Sequence, residues 1–129
     1  MINPTGRKIR SDNQGDGHHG APRGKRIHDG VDFECVPGQF VLAPHDGVLK
    51  RVAYPYSGNR MWKGCVLASV EITTKMFYVD VHKNSIGSTV KAGAPIGKAQ
   101  DISQKYPGMT PHIHLRVTNV DPLLLIDVA

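Results

Sequence analysis

No run of apolar residues in this 129-residue chain approaches the length a helix needs to cross a bilayer, so no membrane span is expected. The segment from Met1 to Lys8 also lacks the apolar stretch of a secretory signal. Either such a segment has been removed or the protein, made in the cytoplasm, reaches its target by another route, and the second is the expectation. Cysteine is scarce. Cys35 and Cys65 can form at most one internal bridge, and there is no CxxC, which excludes a zinc knuckle or a thioredoxin motif. Both lie in apolar, strand-like contexts, so buried free thiols are expected, with a single disulfide as the alternative. Helical periodicity is missing too: no segment of ten or more residues carries it, which argues against a bundle. Clustered basic charge is nearly absent. Apart from Arg23-Gly24-Lys25-Arg26 the cations are scattered, so nucleic acid is an unlikely partner. The net charge of +5 still favours a polyanionic surface such as an anionic cell wall.

What is abundant is turn chemistry. Fourteen Gly and nine Pro break the chain into short pieces, which predicts an all-β fold of short strands. With 40% hydrophobic and 21% charged residues, the chain can bury one core, and residues 1–129 are expected to form a single domain. Residues 1–16 read as an extended N-terminal arm, and the stretch to residue 27 as a long loop without periodicity. Strands are expected at Val31–Val36, Gln39–Ala43, Val48–Tyr54, Cys65–Ile72 and Lys75–Val81. Two shorter strands are expected within Thr89–Lys98, then one helical turn between Gln100 and Lys105. Leu123–Ile126 is either a last core strand or an exposed docking tail, and the core is favoured.

The chemistry gathers at two places. In Thr110-Pro111-His112-Ile113-His114-Leu115-Arg116-Val117, strand alternation puts His112, His114 and Arg116 on one face. Two adjacent imidazoles can both bind a divalent metal, or one can bind it while the other moves protons. A polar strand face is the alternative. Far upstream, His28-Asp29-Gly30-Val31-Asp32 places a loop histidine before a strand carboxylate. If the two strands are neighbours, His28, Asp32 and one of the two downstream histidines converge. Two imidazoles and a carboxylate make a three-ligand zinc site with a fourth position open for water. That open position is what hydrolysis needs, because the metal acidifies its water and polarises a carbonyl. The alternatives are a loop histidine and a strand-start carboxylate making a turn contact.

These residues resemble the lysostaphin-type zinc metallopeptidases, which cut peptide cross-links in bacterial peptidoglycan. The likeness covers roughly residues 17–122. His28-Asp29-Gly30-Val31-Asp32 resembles that family's H-x-G-x-D motif, and His112-Ile113-His114-Leu115 its closing H-x-H motif. Val41-Leu42-Ala43-Pro44 with Asp46-Gly47-Val48, and Val90 through Gly97, resemble two further segments in the same order. The resemblance implies an antiparallel β-sandwich of the duplicated hybrid motif. It implies Zn²⁺ held by His28, Asp32 and His114, with His112 catalytic. It also implies peptidoglycan as the substrate, with action at the cell wall or periplasm.

One departure stands out. The family carries a second catalytic histidine in a Y-x-H segment of a middle strand. Here that segment is Tyr78-Val79-Asp80, with Asp80 in the histidine's place and His82 two residues on, expected on the same side. Asp80 is thus a candidate base or water-orienting group. Tyr78, His18, His19, His82 and Arg116 are candidate substrate contacts. Lys75-Met76-Phe77-Tyr78 and Lys105-Tyr106-Pro107-Gly108 resemble the leukocyte cell-derived chemotaxin branch. That branch keeps the zinc site, lacks the same histidine and acts as a signalling protein, but it is disulfide-stapled where this chain has few cysteines. The functional expectation is therefore a zinc endopeptidase of the bacterial wall. Phage origin, as a tail-tip or lysis component beside other virion tail proteins, fits the missing signal and scarce cysteines. The alternative is a weakly active or inactive zinc-stabilised binding module, such as a virion tip protein or chemotaxin-like ligand.

Overall fold

The structure, a computed structural model, describes residues 1–12, 15–16, 22–23, 26–27 and 30–117. Its strands are β1 (Ser11–Asp12), β2 (Gly15–Asp16), β3 (Pro22–Arg23), β4 (Arg26–Ile27), β5 (Val31–Glu34), β6 (Phe40–Leu42), β7 (Gly47–Ala53), β8 (Gly64–Ala68), β9 (Thr73–Phe77), β10 (Val79–Asp80), β11 (Thr89–Val90), β12 (Pro95–Ala99) and β13 (His112–Val117). Two single 3₁₀ turns, Lys83–Ser85 and Ile102–Gln104, are the helical elements among the described residues. Six strands form one sheet in the order β11-β7-β8-β9-β13-β5, and three form another in the order β10-β12-β6. The pairs β1-β2 and β3-β4 form two small ribbons. Neighbouring strands are antiparallel throughout.

Alternation explains how the larger sheet divides its two faces. Along β13, Ile113, Leu115 and Val117 point into the core. They are joined there by Val31 and Phe33 of β5, Met76 of β9, Cys65 and Leu67 of β8 and Leu49 of β7. The smaller sheet supplies Val41, Val79, Ile96 and Ala99 to the same cluster, so the two sheets share one apolar interior. This is the expected all-β, antiparallel architecture. Both cysteines are free and buried within it. Burial pushes each thiol up to about 12, which leaves them inert as nucleophiles at neutral pH.

Three local expectations change. The strand expected from Lys75 to Val81 is two strands, because Tyr78 adopts a left-handed backbone conformation (φ 67°) that is uncommon for a side chain of its size. The chain leaves the larger sheet at Phe77 and enters the smaller one at Val79. The strand expected to reach Ile72 stops at Ala68, in a turn closed by Ser69 N–H to Ile72 O at 2.8 Å. The first part of the expected arm is packed against the protein: Thr5 and Arg10 are buried, and Ile9 bridges Phe33 beside the outer strand β5. Leu123–Ile126 lies outside the described residues.

Leu67 is fully buried where the two sheets meet. Leu67→Ala is expected to cost about 2–5 kcal/mol, read as a lower denaturant midpoint with an unchanged slope.

Candidate metal and catalytic site

Pairing of β13 with β5 brings the two distant motifs together. His114 lies opposite Asp32 and His112 opposite Glu34, with all four side chains on the face away from the core. On the other flank of β13, His114 faces Phe77 of β9, whose ring stacks on the imidazole at 6.0 Å between centroids. Gly30 explains why the sequence carries glycine just before β5. A Cβ there would stand 2.4 Å from Leu115 O and 2.8 Å from two atoms of the His114 ring. Gly64 makes an even closer approach, since its Cβ would meet Met76 O at 1.7 Å, so β8 is tucked against β9 beside Phe77.

The resulting cluster is buried: Asp32 is 2% exposed, His112 3% and His114 9%. His114 Nδ1 lies 2.9 Å from Asp32 Oδ1. His112 Nε2 lies 3.5 Å from Asp32 Oδ2. His112 Nδ1 is 2.8 Å from the carbonyl of Thr110, which can only accept, so Nδ1 carries the proton. The other ring nitrogen, Nε2, is the one that faces Asp32. Burial drives the His112 pKa down and the Asp32 charge partly opposes this.

Tyr78 closes one side. Its ring stands edge-on to His112 at 5.4 Å, and its hydroxyl is 2.8 Å from that of Tyr56. Trp62 packs edge-on to Tyr78, and Tyr106 packs edge-on to Tyr56. Burial pushes Tyr78 up to about 12, so it is a neutral hydrogen-bonding group at neutral pH. The left-handed backbone that ends β9 thus turns this ring towards His112.

Asp32 is also held by a residue that the motif pattern does not contain. Arg10, 1% exposed, reaches Asp32 Oδ2 through Nε and Nη2, both at 3.0 Å. The signal was present as alternation in Lys8-Ile9-Arg10, hidden inside a stretch read as an aperiodic arm.

Of the other candidates, Asp80 is not drawn into the buried cluster. Its side chain is 59% exposed and pairs with Lys63 at 3.0 Å, because the switch at Tyr78 carries it onto the smaller sheet. His82 is exposed at the start of a 3₁₀ turn, accepting from Asn84 N–H, so strand alternation does not relate it to Asp80. Arg116 keeps the face of His112 and His114 but is exposed, opposite Lys75. His18, His19 and His28 lie outside the described residues.

Among the described residues no group of three or more His, Cys, Asp and Glu side chains is arranged to hold a metal ion. Asp32 and His114 nonetheless fit one. Their facing donor atoms, 2.9 Å apart, are slightly closer than two ligands on one tetrahedral zinc, roughly 3.3 Å for bonds of about 2.0–2.1 Å.

The model of peptidase family M23 matches residues 26–123, which include all three predicted ligands and both histidines of β13. The chain is a member of peptidase family M23. It is 31% identical over 105 residues to leukocyte cell-derived chemotaxin-2 of Bos taurus, covering 81% of this chain and 68% of that one. Its fold is that of the antimicrobial peptidase lysostaphin from Staphylococcus simulans, with a TM-score of 0.70 at 21% identity. That match takes in 97% of this chain and 54% of lysostaphin, so the chain spans about half of that protein. A zinc-containing peptidase from Vibrio cholerae matches at 27% identity with a TM-score of 0.53, over 86% of this chain and 33% of its own. The M23 assignment makes a peptidase-family framework the coarse description of this chain, and zinc is named in the Vibrio cholerae peptidase.

Gly30→Ala is expected to displace the His114 ring, since both the ring and the Leu115 carbonyl stand too near for a methyl group. Isothermal titration should show weakened zinc binding alongside a lower melting temperature, whereas Gly58→Ala would leave zinc binding unchanged.

Proposed function

We propose that this protein is a zinc-dependent endopeptidase that cuts the peptide cross-links of bacterial peptidoglycan, acting at the cell wall. The observation that carries the reading is the buried pair of Asp32 Oδ1 and His114 Nδ1 with the His112 imidazole beside it. Membership of family M23 and the lysostaphin-like fold support peptide hydrolysis and a wall substrate. Asp32 and His114 would hold the zinc, with His28 as third ligand. When bound, zinc supplies Lewis acidity towards the scissile carbonyl and a readily ionised water.

The remaining steps belong to this chain's side chains. His112, fixed by its Nδ1–H to Thr110 O, takes a proton at Nε2 and returns it to the departing amine. Burial keeps the imidazole neutral and ready to accept. Tyr78, packed against His112 and hydrogen-bonded to Tyr56, limits ring rotation and bounds the reaction space. Arg10 balances the Asp32 charge.

A second reading is a zinc-stabilised binding module. It is favoured by Asp80, exposed and bound to Lys63 where the family's second histidine is expected, and by the likeness to a protein named as a chemotaxin.

His112→Ala separates the two. The peptidase reading expects unchanged zinc stoichiometry and about 10²–10⁴-fold slower release of cleaved wall peptides. A wild-type protein carrying one zinc that releases no peptide from any tested wall chemistry would leave only the binding reading. Asp32→Ala is expected to abolish stoichiometric zinc and to cost about 3–5 kcal/mol of stability, because Arg10 would stay buried without its carboxylate. Metal analysis and thermal unfolding check both parts.

A further inference from the structure

Arg10 lies outside the region matched by the family model, yet it is among the most completely buried side chains of the described protein. Its place is set by backbone pairing. Arg10 N–H donates to Asp32 O at 2.9 Å and Glu34 N–H donates to Lys8 O at 2.8 Å, on either side of the Ile9–Phe33 bridge. The segment Lys8-Ile9-Arg10 therefore runs antiparallel along the outer side of β5. Register puts Ile9 on the core face, and Lys8 and Arg10 on the site face, opposite Glu34 and Asp32. Charge follows register: Lys8 Nζ is 4.0 Å from Glu34, and Arg10 meets Asp32 through two nitrogens at 3.0 Å.

This contact does more than neutralise Asp32. A carboxylate has two oxygens, and a guanidinium fork is a rigid planar donor that fixes the orientation of what it grips. Here the fork takes Oδ2, and the other oxygen, Oδ1, is directed at His114 Nδ1. We infer that Arg10 is a positioning residue for the metal centre. It clamps one oxygen of Asp32 so that the other is presented, singly and in fixed orientation, as a metal donor beside His114. The N-terminal segment is then a working part of the site rather than a leader to it. This inference rests on the assignment of Asp32 and His114 as zinc ligands.

The test uses the full chain, stripped of metal, with zinc affinity measured by competition against a chromogenic chelator and melting followed with and without zinc. Arg10→Met should lower zinc affinity by about 10–100-fold, the usual effect of losing a partner that orients a ligand. The melting increment produced by zinc should shrink with it. Arg10→Lys keeps the charge but replaces the planar fork with one ammonium. It should fold, bind zinc with affinity between the other two, and give a cobalt(II) absorption spectrum altered from wild type. Zinc affinity in Arg10→Met equal to or tighter than wild type, even with a lower melting temperature, overturns the proposal. Should Arg10→Met fail to fold, wild-type affinity and an unaltered cobalt spectrum in Arg10→Lys overturn it equally. The two readings fail separately. Tight wild-type zinc binding that is weakened in the Arg10 variants, without wall cleavage, removes the peptidase reading and supports the positioning role. Cleavage by wild type with unchanged zinc affinity in the variants does the reverse.

Discussion

The holding of one buried carboxylate from two directions constrains the rest of the site. Asp32 is withdrawn from water, where an uncompensated charge is costly, so both oxygens need partners with good geometry. His114 takes one side and Arg10 the other. Satisfying His114 requires β13 to lie beside β5 in the observed register and Gly30 to leave room for the ring. Satisfying Arg10 requires the N-terminal segment to run along β5. A single residue thus ties together three stretches that are far apart in the sequence.

The second organising feature is the change of sheet at Tyr78. A regular strand through residues 75–81 would have kept the middle of the chain in one sheet. The left-handed backbone at Tyr78 instead sends Asp80 outward to Lys63 and turns an aromatic ring against His112. Strained backbone of this kind persists only where surroundings over-determine it. Here the surroundings are Trp62, Tyr56 and the His112 ring itself. Asp80, at the position where the resemblance expects a second histidine, thus lies away from His112, and Tyr78 lies against it.

Much of this was legible in the chain. Alternation around His112 and His114 gave a strand with both imidazoles on one face, and the glycine and proline spacing gave an all-β fold. The convergence of Asp32 with that strand is implied by the family resemblance and is conditional on strand pairing, which the β13–β5 register supplies. What local pattern could not give was the break at Tyr78, because nothing in Phe77-Tyr78-Val79 signals positive φ; the cause is packing with residues such as Trp62 and Tyr56. The role of Arg10 is hidden from local pattern for a related reason. Three alternating residues are too few to stand out as a strand, and their meaning depends on a partner more than twenty positions away.

The segment Lys8-Ile9-Arg10 has a further consequence for how the molecule behaves among its own copies. β5 ends the larger sheet, and an open outer strand offers unpaired amides and carbonyls to any other chain. By occupying two of those groups and placing the exposed Lys8 at the rim, the segment guards β5 against strand-to-strand self-association. The same few residues that hold a carboxylate in place also keep the sheet from recruiting another.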